Sequence, residues 1–179
     1  MTGISLNRIG RASRKYRLLF TLLLVLVPLL DLIYWGGFNH LPEGFHDDLP
    51  VSITGELSAL SLLLAFLASL IPLSVTLYGL LALKKLFGLY EQGIIFAEEN
   101  VRCFQKLGYC CIASVVAGIL FTPLASVALT LDNLPGQREL VIDLNSNDLS
   151  ALVIGGIILL VSWVMEEGKK LEDEQRHTV

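Results

Sequence analysis

The chain has 179 residues, 54% of them hydrophobic, with a mean hydropathy of +0.66 and a formal net charge of −4. Four apolar segments occupy about half of it, and the longest piece between them, 84–106, is too short to bury a core of its own. That excludes a separate soluble domain and points to an all-α, integral membrane four-helix bundle, one domain over residues 1–179.

The first span covers Leu18–Trp35, after the basic stretch Arg8, Arg11, Arg14, Lys15 and Arg17. It superficially matches a signal peptide. The apolar run is longer than a signal core, and no small-x-small cleavage site follows at Trp35-Gly36-Gly37, so an uncleaved span is expected. Asp31 is the only charged residue within any span. Intramembrane carboxylates default to a functional reading, here a proton or cation relay. The competing reading is interfacial, because Asp31 lies about 6 Å from the end of the span at 1.5 Å per residue and no cation stands at matching depth. The connection that follows carries His40, Glu43, His46, Asp47 and Asp48; the spacing matches no metal motif, and a solvated acidic loop is expected.

The second span covers Leu57–Leu83. Beyond it Leu83, Leu86, Phe87, Tyr90 and Ile94 recur at helical spacing beside Lys84 and Lys85. Two readings fit: an amphipathic helix lying at the headgroups, or a plain continuation of the span. Gly93 is expected to stop that helix. A new one is expected near Ala97, with Glu98 and Glu99 in its first turn, where the helix dipole favours negative charge. It leads through Val101 and Phe104 into the third span, Leu107–Leu131. Cys103, Cys110 and Cys111 fall near the inner end of this span, in a compartment expected to be reducing, and read as small apolar residues rather than as disulfide or zinc ligands. The fourth span, Leu149–Met165, has only 17 residues before charge resumes at Glu166, at the short end of what crosses a bilayer.

Pro28, Pro72 and Pro123 mark either hinges or static kinks, and static kinks are expected. The pairs Ala65/Ser69, Ala113/Ala117, Ser114/Gly118 and Ala151/Gly155 let helix backbones approach closely, within one chain or in a homo-oligomer. Tyr34 and Trp35 at one level, and Tyr16, Tyr109 and Trp163 at the other, fit interfacial aromatic belts.

Charge gives the orientation. Twelve of the 13 lysines and arginines lie in the N-terminal tail, the 84–106 connection or the C-terminal tail; only Arg138 lies in the other two connections, among eight acidic residues. Basic residues are retained in the cytoplasm, so both termini are expected there, in a plasma (inner) membrane.

An internal repeat is also present. Glu56-Leu57-Ser58-Ala59-Leu60 opens span two and Asp148-Leu149-Ser150-Ala151-Leu152 opens span four. Glu91-Gln92-Gly93, Phe96 and Glu98-Glu99 follow one; Glu166-Glu167-Gly168, Leu171 and Asp173-Glu174 follow the other at the same spacing. Leu41-Pro42 and Leu134-Pro135 echo each other in the outer connections. Two tandem helical hairpins in the same orientation account for the pattern, and the turn expected at Gly93 is expected again at Gly168. These motifs are the candidate partner surface: Glu91, Gly93, Phe96, Glu98, Glu99, Glu167, Gly168 and Leu171. They either solve one structural problem twice or form a docking surface.

No serine elbow, Gly-rich phosphate loop, His-Glu-x-x-His or Cys-x-x-Cys motif is present, so no enzymatic role, cofactor or direct nucleic-acid binding is expected. Gly93-Ile94-Ile95-Phe96-Ala97-Glu98-Glu99-Asn100, and Glu167-Gly168-Lys169-Lys170-Leu171-Glu172-Asp173-Glu174 with Thr178-Val179, resemble the conserved segments of an uncharacterised bacterial four-span family, domain of unknown function 2975. Ala97 departs from the hydroxyl residue usual there, which removes a natural helix cap. The resemblance implies no activity. It does imply a partner, since members are often encoded beside small helix-turn-helix regulators. The expected role is therefore a sensory or regulatory membrane partner of a cytoplasmic protein. The alternative is a small transporter or permeation subunit built on Asp31.

Overall fold

A computed structural model describes residues 3–42, 49–51, 53, 55–95, 97–133, 136–143 and 146–177, with side chains described between 9 and 170. Four helices make up the fold: α1 Gly3–Gly36, α2 Ala59–Glu91, α3 Glu98–Leu129 and α4 Ser146–His177. No strand occurs among the described residues. Each helix has 32 to 34 residues, about 50 Å at 1.5 Å per residue. That exceeds a hydrocarbon core of about 30 Å, so every helix is long and apolar enough to cross a membrane, with length to spare. The short fourth span is thereby accounted for: its apolar run is the middle of a much longer helix. Pro28, Pro72 and Pro123 all lie inside continuous helices.

Packing runs in chain order, α1 on α2, α2 on α3 and α3 on α4. The two hairpins therefore meet through α2 and α3, and α1 and α4 flank them. Burial follows: 6% of the apolar stretch of α1 is buried, against 33% of that of α3. The remaining large apolar side chains face outward along all four helices, as lipid-facing surfaces do and water-facing surfaces do not.

Helices α3 and α4 approach closely at two glycines. A Cβ on Gly108 would stand 2.6 Å from Leu159 Cγ, and one on Gly155 would stand 2.9 Å from Cys111 Cβ. Neither glycine can carry a side chain without displacing the other helix. Gly118, by contrast, has nothing within 4 Å and Ser114 is exposed, so that small pair lies outside the packing within the chain.

The segment after the second span is a plain continuation. α2 runs unbroken through Gly88 to Glu91, Leu86 is buried, and the Phe87 ring packs on Tyr16 and Phe20 of α1 with centroids 5.1 and 5.4 Å apart.

At the opposite, acidic end, a 3₁₀ turn at Phe38–His40 folds the connection onto the helix ends. Trp35 stacks on Phe38 at 5.5 Å, and both are buried with Val51, Leu57, Ala128 and Leu129. Trp35 is thus a core residue and not a member of an interfacial belt, because the connection supplies an aromatic partner for it. Tyr16, Tyr109 and Trp163, about half exposed, remain free to sit at the interface. Asn39 holds the connection closed: its amide donates to the Leu57 carbonyl (3.0 Å) and accepts from the Leu57 N–H (3.1 Å).

Helix α2 is capped across the fold. Ser58 is its N-cap and accepts from the Ser61 N–H. Asp132, just beyond α3, accepts from the Ser58 N–H (2.9 Å) and from the Ser61 hydroxyl (2.8 Å). A carboxylate at a helix N-terminus is favoured by both the hydrogen bonds and the dipole. The Ser58 N–H first, and the serine hydroxyls second, hold its carboxyl below the usual aspartate value.

Candidate functional site

The basic end is built around the junction of α2 and α3. Gln92 ends α2 and Gly93 follows with φ of +78°, a left-handed conformation that glycine adopts without steric cost. The Gly93 N–H donates to the Tyr90 carbonyl (3.1 Å) and the Ile94 N–H to the Leu89 carbonyl (2.9 Å). These two bonds are the Schellman closure of a helix C-terminus.

At Ala97, four residues after Gly93, α3 starts without a side-chain cap, because Ala97 has no side-chain oxygen to offer. Asn100 takes over. Fully buried, it accepts from the Ala97 N–H (3.2 Å) and donates to the Ile94 carbonyl (3.1 Å). The first of these bonds is the N3 half of a capping box; the second ties the end of the α2 turn to the start of α3. Asn100 is therefore the clamp of the junction. Periodicity does not reveal it; its position three residues after the helix start is the signal that was available.

The candidate surface residues divide into two groups. Glu91 is half-buried and committed to the α1–α2 contact: Arg17 Nη1 stands 3.1 Å from its Oε2, an ion pair that lacks the angle of a hydrogen bond. Gly93, Glu98, Glu99, Glu167 and Gly168 are exposed. Glu98 pairs with Arg102 one turn on. On α4, Lys170 reaches both Glu166 (3.5 Å) and Glu167 (3.4 Å). Helix packing ties α3 to α4 near the two motifs: Gln105 Nε2 of α3 donates to Glu166 Oε2 of α4 (3.1 Å). Phe96 lies outside the described residues. So do Thr178, Val179 and the side chain of Leu171.

The turn expected at Gly168 is absent. α4 passes straight through it to His177, and nothing lies within 4 Å of a Cβ there. The physical reason is what comes next. After Gly93 the chain must reverse to enter α3, whereas after Gly168 it runs on through charged residues that favour helix. The same asymmetry appears at the other ends of these helices. Ser58 caps α2, but Ser150 lies inside α4, its hydroxyl bonded to the Ser146 carbonyl (3.0 Å). The repeat is one of sequence, and its local structures differ.

Asp31 occupies a second place, in the first span. Half-buried, it faces α2, where the hydroxyl of buried Ser69 stands 3.0 Å from its Oδ2 and 2.8 Å from the Phe66 carbonyl. The single hydroxyl proton is shared between these acceptors. The two residues line a cleft of about 440 Å³ with Pro72 and Phe121. Ser69 is thus the polar partner of Asp31, a contact invisible in hydropathy. Glu43, His46, Asp47 and Asp48 of the acidic loop lie outside the described residues, as do Leu134 and Pro135 of the outer-connection echo.

The family described as Protein of unknown function (DUF2975) matches residues 15–179, and the chain belongs to that family. The match takes in all four apolar segments and both motifs. No curated protein and no solved structure matches the chain.

Proposed function

We propose that this multi-pass membrane protein is a sensory or regulatory partner of a cytoplasmic protein, met at the basic end. The observation that carries this reading is the joining of two exposed acidic motifs on packed helices. Glu98 and Glu99 stand exposed on the first turn of α3 and Glu167 stands exposed on α4, and the Gln105–Glu166 hydrogen bond ties the two helices together. From Glu166 to His177 α4 continues as helix beyond its apolar run, about 18 Å at 1.5 Å per residue. A charged helix of that length is available to a soluble protein and has no use within lipid.

The orientation is part of the proposal. Twelve basic residues at this end and one at the other put it in the cytoplasm by the retention of lysine and arginine, in the inner membrane of a bacterium. A small helix-turn-helix regulator is the partner class that the family resemblance favours. Full-length protein recovered from native membranes should bring down a soluble partner, and the triple variant Glu98→Gln, Glu99→Gln, Glu167→Gln should lose about tenfold of it, the combined effect of three exposed charges that each contribute little alone. Unchanged recovery would sink the reading.

The Asp31–Ser69 contact favours a second reading, a permeation subunit. It predicts that Asp31→Asn alters ion or solute flux in reconstituted vesicles; absence of flux in both forms would dispose of it.

A further inference from the structure

We infer that the cleft between α1 and α2 at the basic end is a binding site for the headgroup of an anionic phospholipid. The cleft measures about 690 Å³ and is lined by Arg17, Lys84 and Lys85, with Leu18 and Leu81 below them. These residues fall at one level. Leu18 opens the apolar run of α1, and Lys84 follows directly on that of α2. The charges therefore stand where a helix leaves the hydrocarbon, at the depth of lipid phosphates, and the leucines stand where acyl chains begin. Basic pockets between membrane helices hold phosphate headgroups in this way.

Two features distinguish the cleft from a generally basic surface. Gly88 is one of the lining residues, and the Arg17 stem lies against its bare backbone, with Cδ 3.7 Å from where a Cβ would be. A side chain at position 88 would fill the space. Lys84 and Lys85 form no ion pair among the described residues, while Arg17 is partly neutralised by Glu91 at 3.1 Å. Two ammonium groups, next to each other on one helix, are left to receive an anion. The apolar walls favour a phosphate that arrives attached to lipid over a free one.

The test is native mass spectrometry of the full-length protein in zwitterionic detergent, titrated with phosphatidylglycerol or phosphatidylcholine. Phosphatidylglycerol should be retained at least about tenfold better, because only its headgroup brings a net negative charge to the basic residues of the cleft. The double variant Lys84→Gln, Lys85→Gln should lose that preference. Arg14→Gln with Lys15→Gln removes the same charge from the same end but outside the cleft, and should keep it. Gly88→Leu keeps every charge and should lose it through occupancy alone, with helicity by circular dichroism confirming the fold. Equal retention of the two lipids, or equal loss in both double variants, would overturn the site. Displacement of the lipid by an equimolar concentration of inorganic phosphate would overturn its assignment to lipid.

Discussion

Asn100 carries more of the α2–α3 junction than its single side chain suggests. It is fully buried and satisfies one backbone donor and one backbone acceptor, so Asn100→Ala leaves both unpaired. A lost buried partner costs about 1–3 kcal/mol, and thermal unfolding in detergent should register a loss of that size. Ala97→Ser should act in the opposite direction. It restores an oxygen at the helix start, typically a gain of about 1 kcal/mol, and a fall in stability would show that the Asn100 clamp leaves no room for a second cap. Asp132 gives a pH dependence with a definite sign. Its carboxyl is held below the usual value by the Ser58 N–H and the serine hydroxyls. The stabilisation is therefore complete above the ordinary aspartate value of about 3.9 and is lost as pH falls through the lower folded value. Asp132→Asn should flatten the acid limb of the stability profile; an unchanged limb would assign it to other carboxylates.

At the scale of elements, the α3–α4 contact depends on the absence of side chains at Gly108 and Gly155. Gly108→Ala drives a methyl to within 2.6 Å of Leu159 Cγ, and overpacking of this kind costs about 1–3 kcal/mol. Adding Leu159→Ala should restore part of the loss, because the methyl enters the space the leucine leaves. Gly118→Ala should be tolerated, with nothing nearby to meet. Losses that simply add in the double variant would contradict the packing. Hydropathy makes the four helices legible, because about 20 consecutive apolar residues have few other uses, and Gly93 announces the end of α2. The contacts were less legible. Gly155 belongs to a visible small-residue pair, but its partner Gly108 is on another helix, and spacing along one chain says nothing of which faces meet. Trp35 reads as interfacial in the sequence because the 3₁₀ turn that buries it has no periodicity to read. The repeat points to a second turn at Gly168, but a glycine only permits a turn, and the charged residues that follow it continue α4 as helix.

The whole molecule is a row of helices in chain order, acidic at one end and basic at the other. That polarity was legible from a count of lysines and arginines, because it depends on no fold. The Asp31–Ser69 pairing and the union of the two motifs were not, because both arise from packing between helices. Reporter fusions at Asp47 and Gly93 should show opposite compartments, with Gly93 in the cytoplasm; the same compartment for both would remove the topology on which the proposed role rests. The most direct measurement is site-specific photo-cross-linking in growing cells, with the reactive group placed at Glu99 and, separately, at Glu167. Both positions should capture the same soluble protein, because α3 and α4 pack against each other at this end. Two unrelated products, cross-links only to lipid or to a second copy of the chain, or none at all, would contradict it.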